Sequence, residues 1–206
     1  WLAAWIVAAA ATSLVDRLQL AGGSAGVMAR LRSQPSAYYG MLLAHVGVAV
    51  FVIGVTLVKG YESEKDVRMA PGDTLELSGY TFRLEGVTDV QGPNYGAARA
   101  TIAVMQGGRA VATLYPERRL YRVQEMPMTE AAIDYGAFRH LYVALSESVG
   151  PGAWIVRVHY KPFVAWIWFG CILMALGGVL AASDRRYRVA AREPRVAGYA
   201  AARPVS

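Results

Sequence analysis

One histidine stands where an ionisable side chain is costly. His45 lies within Ser33–Val58, 26 residues that contain no Asp, Glu, Lys or Arg. About 20 apolar residues are enough to cross the hydrocarbon of a bilayer. At about 1.5 Å per residue, His45 would sit roughly 10 Å in from Tyr38 along a helix. An imidazole buried there without a partner costs a few kcal/mol, so it must face a neighbouring helix, a cavity or a cofactor. Three chemistries fit: a neutral ring bonded to another helix, a proton relay, or an axial ligand giving one neutral ring nitrogen to a haem iron. Gly40, Gly47 and Gly54 recur every seven residues. Such a stripe lets a second helix approach closely. At about 100° per residue His45 falls some 200° from Gly47, on the far side with Met41, Val48 and Val52. That side would meet something of low polarity. A planar apolar cofactor fits, and so does plain helix packing.

The other reactive residues carry less. Cys171 is the single cysteine and lies in an apolar run, so it reads as a small packing residue. No disulfide, C-x-x-C redox pair or zinc set can form within the chain, and no C-x-x-C-H is present for covalent haem attachment to itself. Met126 and Met128 flank Pro127; a methionine pair of this kind reads as packing before thioether ligation. His140 and His159 fall at strand positions and read as surface or strand-end residues. No nucleophile–base–orienter set or phosphate loop appears. The chemistry is therefore expected from a cofactor or from another part of a larger protein.

The elements that would position His45 follow from charge and apolar runs. Hydrophobic residues make up 55% of the chain and the net charge is +6. Residues 60–160 hold ten Lys+Arg against twelve Asp+Glu, and the rest holds eleven against three. The basic excess thus flanks the apolar runs, which argues for membrane orientation and against a nucleic-acid partner. The chain is read as an α-helical membrane protein with three spans and an inserted all-β domain. Residues 1–15 form a truncated transmembrane helix and 16–37 a cytoplasmic basic connector. Residues 38–58 form the helix with His45, and 59–160 a periplasmic β-domain. Residues 161–183 form a last helix with Lys161, Trp166 and Trp168 at its outer interface. Residues 184–206 are a cytoplasmic basic tail. The chain starts at Trp1 with no signal-peptide pattern, and is expected to be one piece of a longer membrane protein.

The β-domain is read from period-two alternation. Tyr80, Phe82 and Leu84 alternate with Thr81 and Arg83; Leu141, Val143 and Leu145 alternate likewise; Trp154, Val156 and Val158 do the same. Gly107–Gly108 between Thr101–Met105 and Ala110–Tyr115 marks a hairpin. A small antiparallel sandwich or barrel of six to eight strands is expected. Gln124–Phe138 interrupts the strand pattern and reads as a loop crossing one end of the sandwich, or as an edge that touches a partner or substrate. Within it Thr129–Ile133 could make a single helical turn closed by Gly136.

Several stretches resemble one family: YYGMLLAHVGVAV at 38–50, MPMTEAAID at 126–134, RHLYVAL at 139–145, WIVRVHYKPFVAWIW at 154–168 and DRRYR at 184–188. They are similar to the C-terminal part of CcmF, the membrane haem lyase of bacterial cytochrome c maturation (system I). The MPMTEAAID stretch favours this family over the other bacterial haem-ligation pathway. The resemblance implies a bacterial inner-membrane location and a periplasmic domain between the last two helices. It also implies a haem b held by two helix histidines, the later matching His45 and the other lying upstream of this chain. The embedded haem b would reduce incoming haem iron, with His45 an axial ligand and electron relay. Haem from the carrier CcmE would be joined through thioethers to the cysteines of an apocytochrome c. A CcmH-type thiol component, the N-terminal part of CcmF and the lipid bilayer complete the expected partners. Two rival readings are a cytochrome b-type electron-transfer subunit and a membrane-anchored β-domain that binds a ligand without a cofactor.

Overall fold

The computed structural model of the chain describes residues 1–18, 34–123 and 125–184. Most of the expected basic connector and all of the basic tail after Asp184 lie outside the described residues. Two compact units emerge, residues 1–49 with those from 170 onward, and residues 50–169.

Three helices account for the apolar runs: α1 (Leu2–Leu18), α2 (Ser36–Tyr61) and α3 (Val164–Ala182). Of the described helices, α2 and α3 are long and apolar enough to cross a membrane; α1 is apolar but shorter. Helix α2 extends past Lys59 to Tyr61, so the β-domain starts later than expected, at Ser63. Lys59, in the last turn, pairs with Glu62 at 2.9 Å, and its charge suits the C-terminal end of the helix dipole.

The second unit is a β-sandwich. Ten described strands form two antiparallel sheets, more than the six to eight expected from alternation. They are β1 (Ser63–Met69), β2 (Thr74–Leu77), β3 (Tyr80–Gln91), β4 (Tyr95–Gln106), β5 (Arg109–Leu114), β6 (Glu117–Tyr121), β7 (Pro127–Glu130), β8 (Ala132–Tyr135), β9 (Arg139–Gly150) and β10 (Ala153–Pro162). One sheet runs β1-β10-β9-β8 and the other β2-β3-β4-β6-β7, with β5 also on β4. The core lies between them. Phe82, Leu84, Ile102 and Val104 meet Leu141, Val143, Leu145, Val156 and Val158, all fully buried. Each such side chain contributes about 1.5–3 kcal/mol of burial.

The extra strands come from two interruptions. Strands β5 and β6 share one edge of β4, on Ile102–Gln106 and Tyr95–Arg99 respectively. Pro116 separates them; it has no N–H to give a ladder, while its carbonyl accepts from Ala100 N. The helical turn expected at Thr129–Ile133 is instead two short strands. Thr129 pairs with Arg118 on β6, and Ile133 pairs with Tyr142 on β9. Two open sheet edges offer backbone partners that one isolated turn of helix lacks, so tertiary pairing overrides local propensity. Between these strands the chain passes from one sheet to the other.

The Gly107–Gly108 hairpin forms as expected. Gln106 pairs with Arg109, and both glycines have positive φ, 56° and 77°. Those angles are the requirement of a two-residue turn of this hand.

Candidate functional site

His45 projects from an exposed position of α2. Its Nδ1 lies 2.8 Å from the carbonyl oxygen of Met41, one turn earlier. A carbonyl only accepts, so Nδ1 carries the proton and donates. Nε2 is left with its lone pair and no internal partner among the hydrogen bonds described. A hydrogen bond from the second ring nitrogen to a backbone carbonyl is the usual way to fix the tautomer and orientation of a metal-binding imidazole. Met41 is exposed beside it and Val48 half-buried. The donor set and its apolar surroundings therefore fit an axial ligand of a haem. They do not reveal a second ligand: no group of three or more His, Cys, Asp or Glu is placed to hold a metal ion among the described residues.

The opposite side of α2 is closed by glycine contacts. A Cβ on Gly40 would fall 2.5 Å from Gly177 O, and one on Gly47 would fall 2.8 Å from Gly170 O. The contact is reciprocal: a Cβ on Gly177 would meet Gly40 O at 2.6 Å. In the other unit, Gly54 stands against Ile167 in the same manner. The heptad glycines thus bring α2 and α3 to backbone contact, as the spacing suggests.

Asp184, just past α3, is 7% exposed. Its Oδ2 accepts from Ala37 N at 3.0 Å, at the start of α2. The carboxylate thereby satisfies an otherwise orphan helix N–H and meets the positive end of the helix dipole. In the sequence this residue is only the first of the basic tail. Its partner is 147 positions away, and no local pattern announces it. Cys171 is half-buried in α3.

In the β-sandwich, His159 stands opposite Glu64 in the β1–β10 register, with Nδ1 3.4 Å from the carboxylate. Spacing along the chain does not show this neighbour. Burial lowers the His159 pKa, and Lys161 and Arg157 add to that against Glu64. His140 packs edge-on against Tyr135 at 5.1 Å and is likewise lowered, first by burial and then by Arg139. Both rings are therefore held toward the neutral form.

Met126 and Met128 are 70% and 51% exposed, so the packing role expected of them does not hold within this chain. Met128 lies on the outward side of β7, an edge strand opposite Arg119; Met126 precedes that strand. The distal end of the sandwich opens into a groove of about 790 Å³, lined by Asp89, Gln91, Arg118, Leu120, Arg122 and Trp154 among others. Arg118 is held there by a hydrogen bond to Ser146 O across the sheets.

Residues 60–162 match the family model described as the CcmF C-terminal β-sandwich. The chain is 52% identical over 188 residues to the cytochrome c-type biogenesis protein CcmF of Pseudomonas aeruginosa, covering 91% of this chain. It is 48% identical over 151 residues to the Escherichia coli K12 protein of the same name, covering 73%. The matched parts are only 28% and 23% of those relatives' lengths. A solved structure of the cytochrome c heme lyase CcmF superposes with a TM-score of 0.66 at 18% identity, over 87% of this chain and 29% of that one. That likeness speaks for the fold.

Proposed function

Because this chain belongs to the CcmF family, we propose that it is the C-terminal part of a membrane haem lyase of cytochrome c maturation, with His45 as one axial ligand of a haem b. The second ligand would come from an upstream helix. In this reading α2 and α3 cross the bacterial inner membrane, and α1 is the truncated part of a further span. Residues 59–160 face the periplasm, and the basic segments 16–37 and 184–206 face the cytoplasm, in accord with the placement of positive charge. Haem delivered by the carrier CcmE is the substrate, joined through thioethers to an apocytochrome c with a CcmH-type thiol component assisting.

The observation that carries the reading is the His45 hydrogen bond to Met41 O. It supports a proton on Nδ1, which would leave Nε2 to ligate iron. The apolar Met41 and Val48 beside it would give the ligand a low-polarity surround, and that hydrogen bond would tune how strongly the imidazole donates. When bound, the haem supplies one-electron chemistry for reducing incoming haem iron. His45 then acts as a ligand and not as an acid or base. Asp184 and the glycine stripe hold the helix that carries it.

The test is His45→Ala in the full-length protein. The b-type absorption of the purified protein should disappear and c-type cytochromes should stop maturing. Unchanged haem content would remove the ligand role. Failed respiration with normal covalent attachment would favour an electron-transfer cytochrome instead.

A further inference from the structure

The register of β9 and β10 fixes which end of the sandwich adjoins α3. Pro162 pairs with Arg139 and Lys161 with His140. The loop just before Arg139, Gly136–Phe138, therefore lies at the end where β10 gives way to helix. Trp154 marks the opposite end, roughly 26 Å away at about 3.3 Å per residue.

That loop has an unusual build for a surface turn. Its stem is pinned. Arg139 forms an ion pair with Asp134, donates to Tyr80 OH at 3.2 Å and stacks over the Tyr80 ring at 5.3 Å. Its tip is apolar and uncovered: Phe138 is 63% exposed and Tyr135 also stands out. Two other turns at this end, Ser78–Gly79 and Gly107–Gly108, carry no large side chain.

The loop is also tied to the first turn of α3. Phe163 N donates to Phe138 O at 2.9 Å. The Phe138 ring meets Phe163 at 6.1 Å and Trp166 at 6.2 Å, and those two rings meet at 5.5 Å. Phe163 holds a φ of 57°. A bulky residue in that region costs on the order of 1–3 kcal/mol and persists only where its surroundings enforce it. The loop thus shares its level with Trp166, where an apolar helix of membrane length begins.

We propose that the Tyr135–Phe138 loop is a lipid contact that dips into the headgroup–acyl boundary of the bilayer and anchors the β-domain to the membrane surface. The proposal rests on reading α3 as a membrane span. The composition at this level is that of an interfacial belt. Phe138, Trp166 and Trp168 offer amphipathic or apolar rings, Tyr135 and Tyr61 add hydroxyls, and Lys161 and exposed Lys59 supply cations for phosphate. Aromatic and basic side chains concentrate at membrane–water interfaces for these reasons. A rigid stem under an apolar tip loses little freedom when the tip is buried.

Depth measurement tests this. Nitroxide labels are placed singly at Phe138→Cys and Tyr135→Cys in full-length protein lacking other reactive cysteines. The protein is reconstituted in nanodiscs of phosphatidylethanolamine and phosphatidylglycerol, and power saturation is read with oxygen and a nickel chelate. Ile172→Cys and Val179→Cys on α3 serve as references within the span, and Val123→Cys, 92% exposed at the distal end, as the aqueous one. The loop labels should show an oxygen-to-nickel ratio several-fold above that at Val123 and below that within the span. A ratio equal to that at Val123 would overturn the proposal, as would shielding from both reagents, which means protein covers the loop. Nickel access at both α3 references would refute the span itself, and the loop contact with it.

Discussion

Glu117 shows how one side chain can hold a sheet face together without entering the core. It is 5% exposed on the outer face of the six-stranded sheet. Arg99 Nε donates to it at 2.6 Å and Arg119 Nε at 2.7 Å; Arg119 also reaches Glu130 at 3.3 Å. Burial pushes the Glu117 pKa up, but the two arginine hydrogen bonds outweigh it and leave the carboxyl below its ordinary 4.5. Its folded pKa is thus lower than its unfolded one. The stability it contributes is present above about pH 4.5 and is lost as pH falls through the folded value. Glu117→Gln should cost about 1.5–3 kcal/mol in urea unfolding at pH 7, the scale of hydrogen bonds to a charged group. The gap between variant and parent should narrow on acidification; a constant gap would contradict the assignment. Some slope will remain in the variant, because Asp66 is held low by its hydrogen bonds from Arg157. At this scale the sequence singles out His45, since an imidazole in an uncharged run stands out. The Met41 bond and the Asp184 contact were not legible there. The first depends on a side-chain rotamer, the second on a partner 147 positions distant.

For the elements, adjacent glycines provide a controlled comparison. Gly177 presses against Gly40 O and Ala44 N, whereas a Cβ at Gly178 would meet nothing within 4 Å. Gly177→Val should force α2 and α3 apart, since the obstacles are backbone atoms that cannot rotate away. A thermal melt of the detergent-solubilised full-length protein should show a clear loss of midpoint. Gly178→Ala should match the parent or exceed it slightly, by up to about 1 kcal/mol from helix propensity. Equal behaviour of the two variants would mean that the glycine contact does not hold the helices. The seven-residue spacing made this contact readable in the sequence. The strands of the core were readable too, most plainly where Phe82 and Leu84 alternate with Thr81 and Arg83. The β7–β8 crossing was not: Thr129-Glu130-Ala131-Ala132-Ile133 has the local makeup of a helix start, and only the free edges of β6 and β9 decide otherwise.

At the largest scale, the charge pattern sets the β-sandwich apart from the helices that flank it. The acidic-leaning β-unit has its own core, and its first and last strands are neighbours, Ser63 beside Tyr160. Residues 60–162 expressed alone should therefore fold, giving a β-type circular dichroism spectrum and well-dispersed amide resonances. Collapsed or broad spectra would mean that the sandwich needs the helices to fold. The presence of an all-β segment could be read from alternation, but the order of its ten described strands could not, because sheet order is set by contacts between distant segments.

The β1–β10 pairing also orders events during synthesis. Strand β1 leaves the ribosome before every other described strand, yet β10, the strand it pairs with in the sheet, is made last. The larger sheet, whose strands follow one another closely in the chain, can assemble while β1 is still unpaired. Closing the smaller sheet must wait until about a hundred residues have emerged, a loop closure of the slow, non-local kind. The sandwich is therefore sealed only as the chain reaches α3, and any pause before Ala153 leaves an open edge exposed to misassembly.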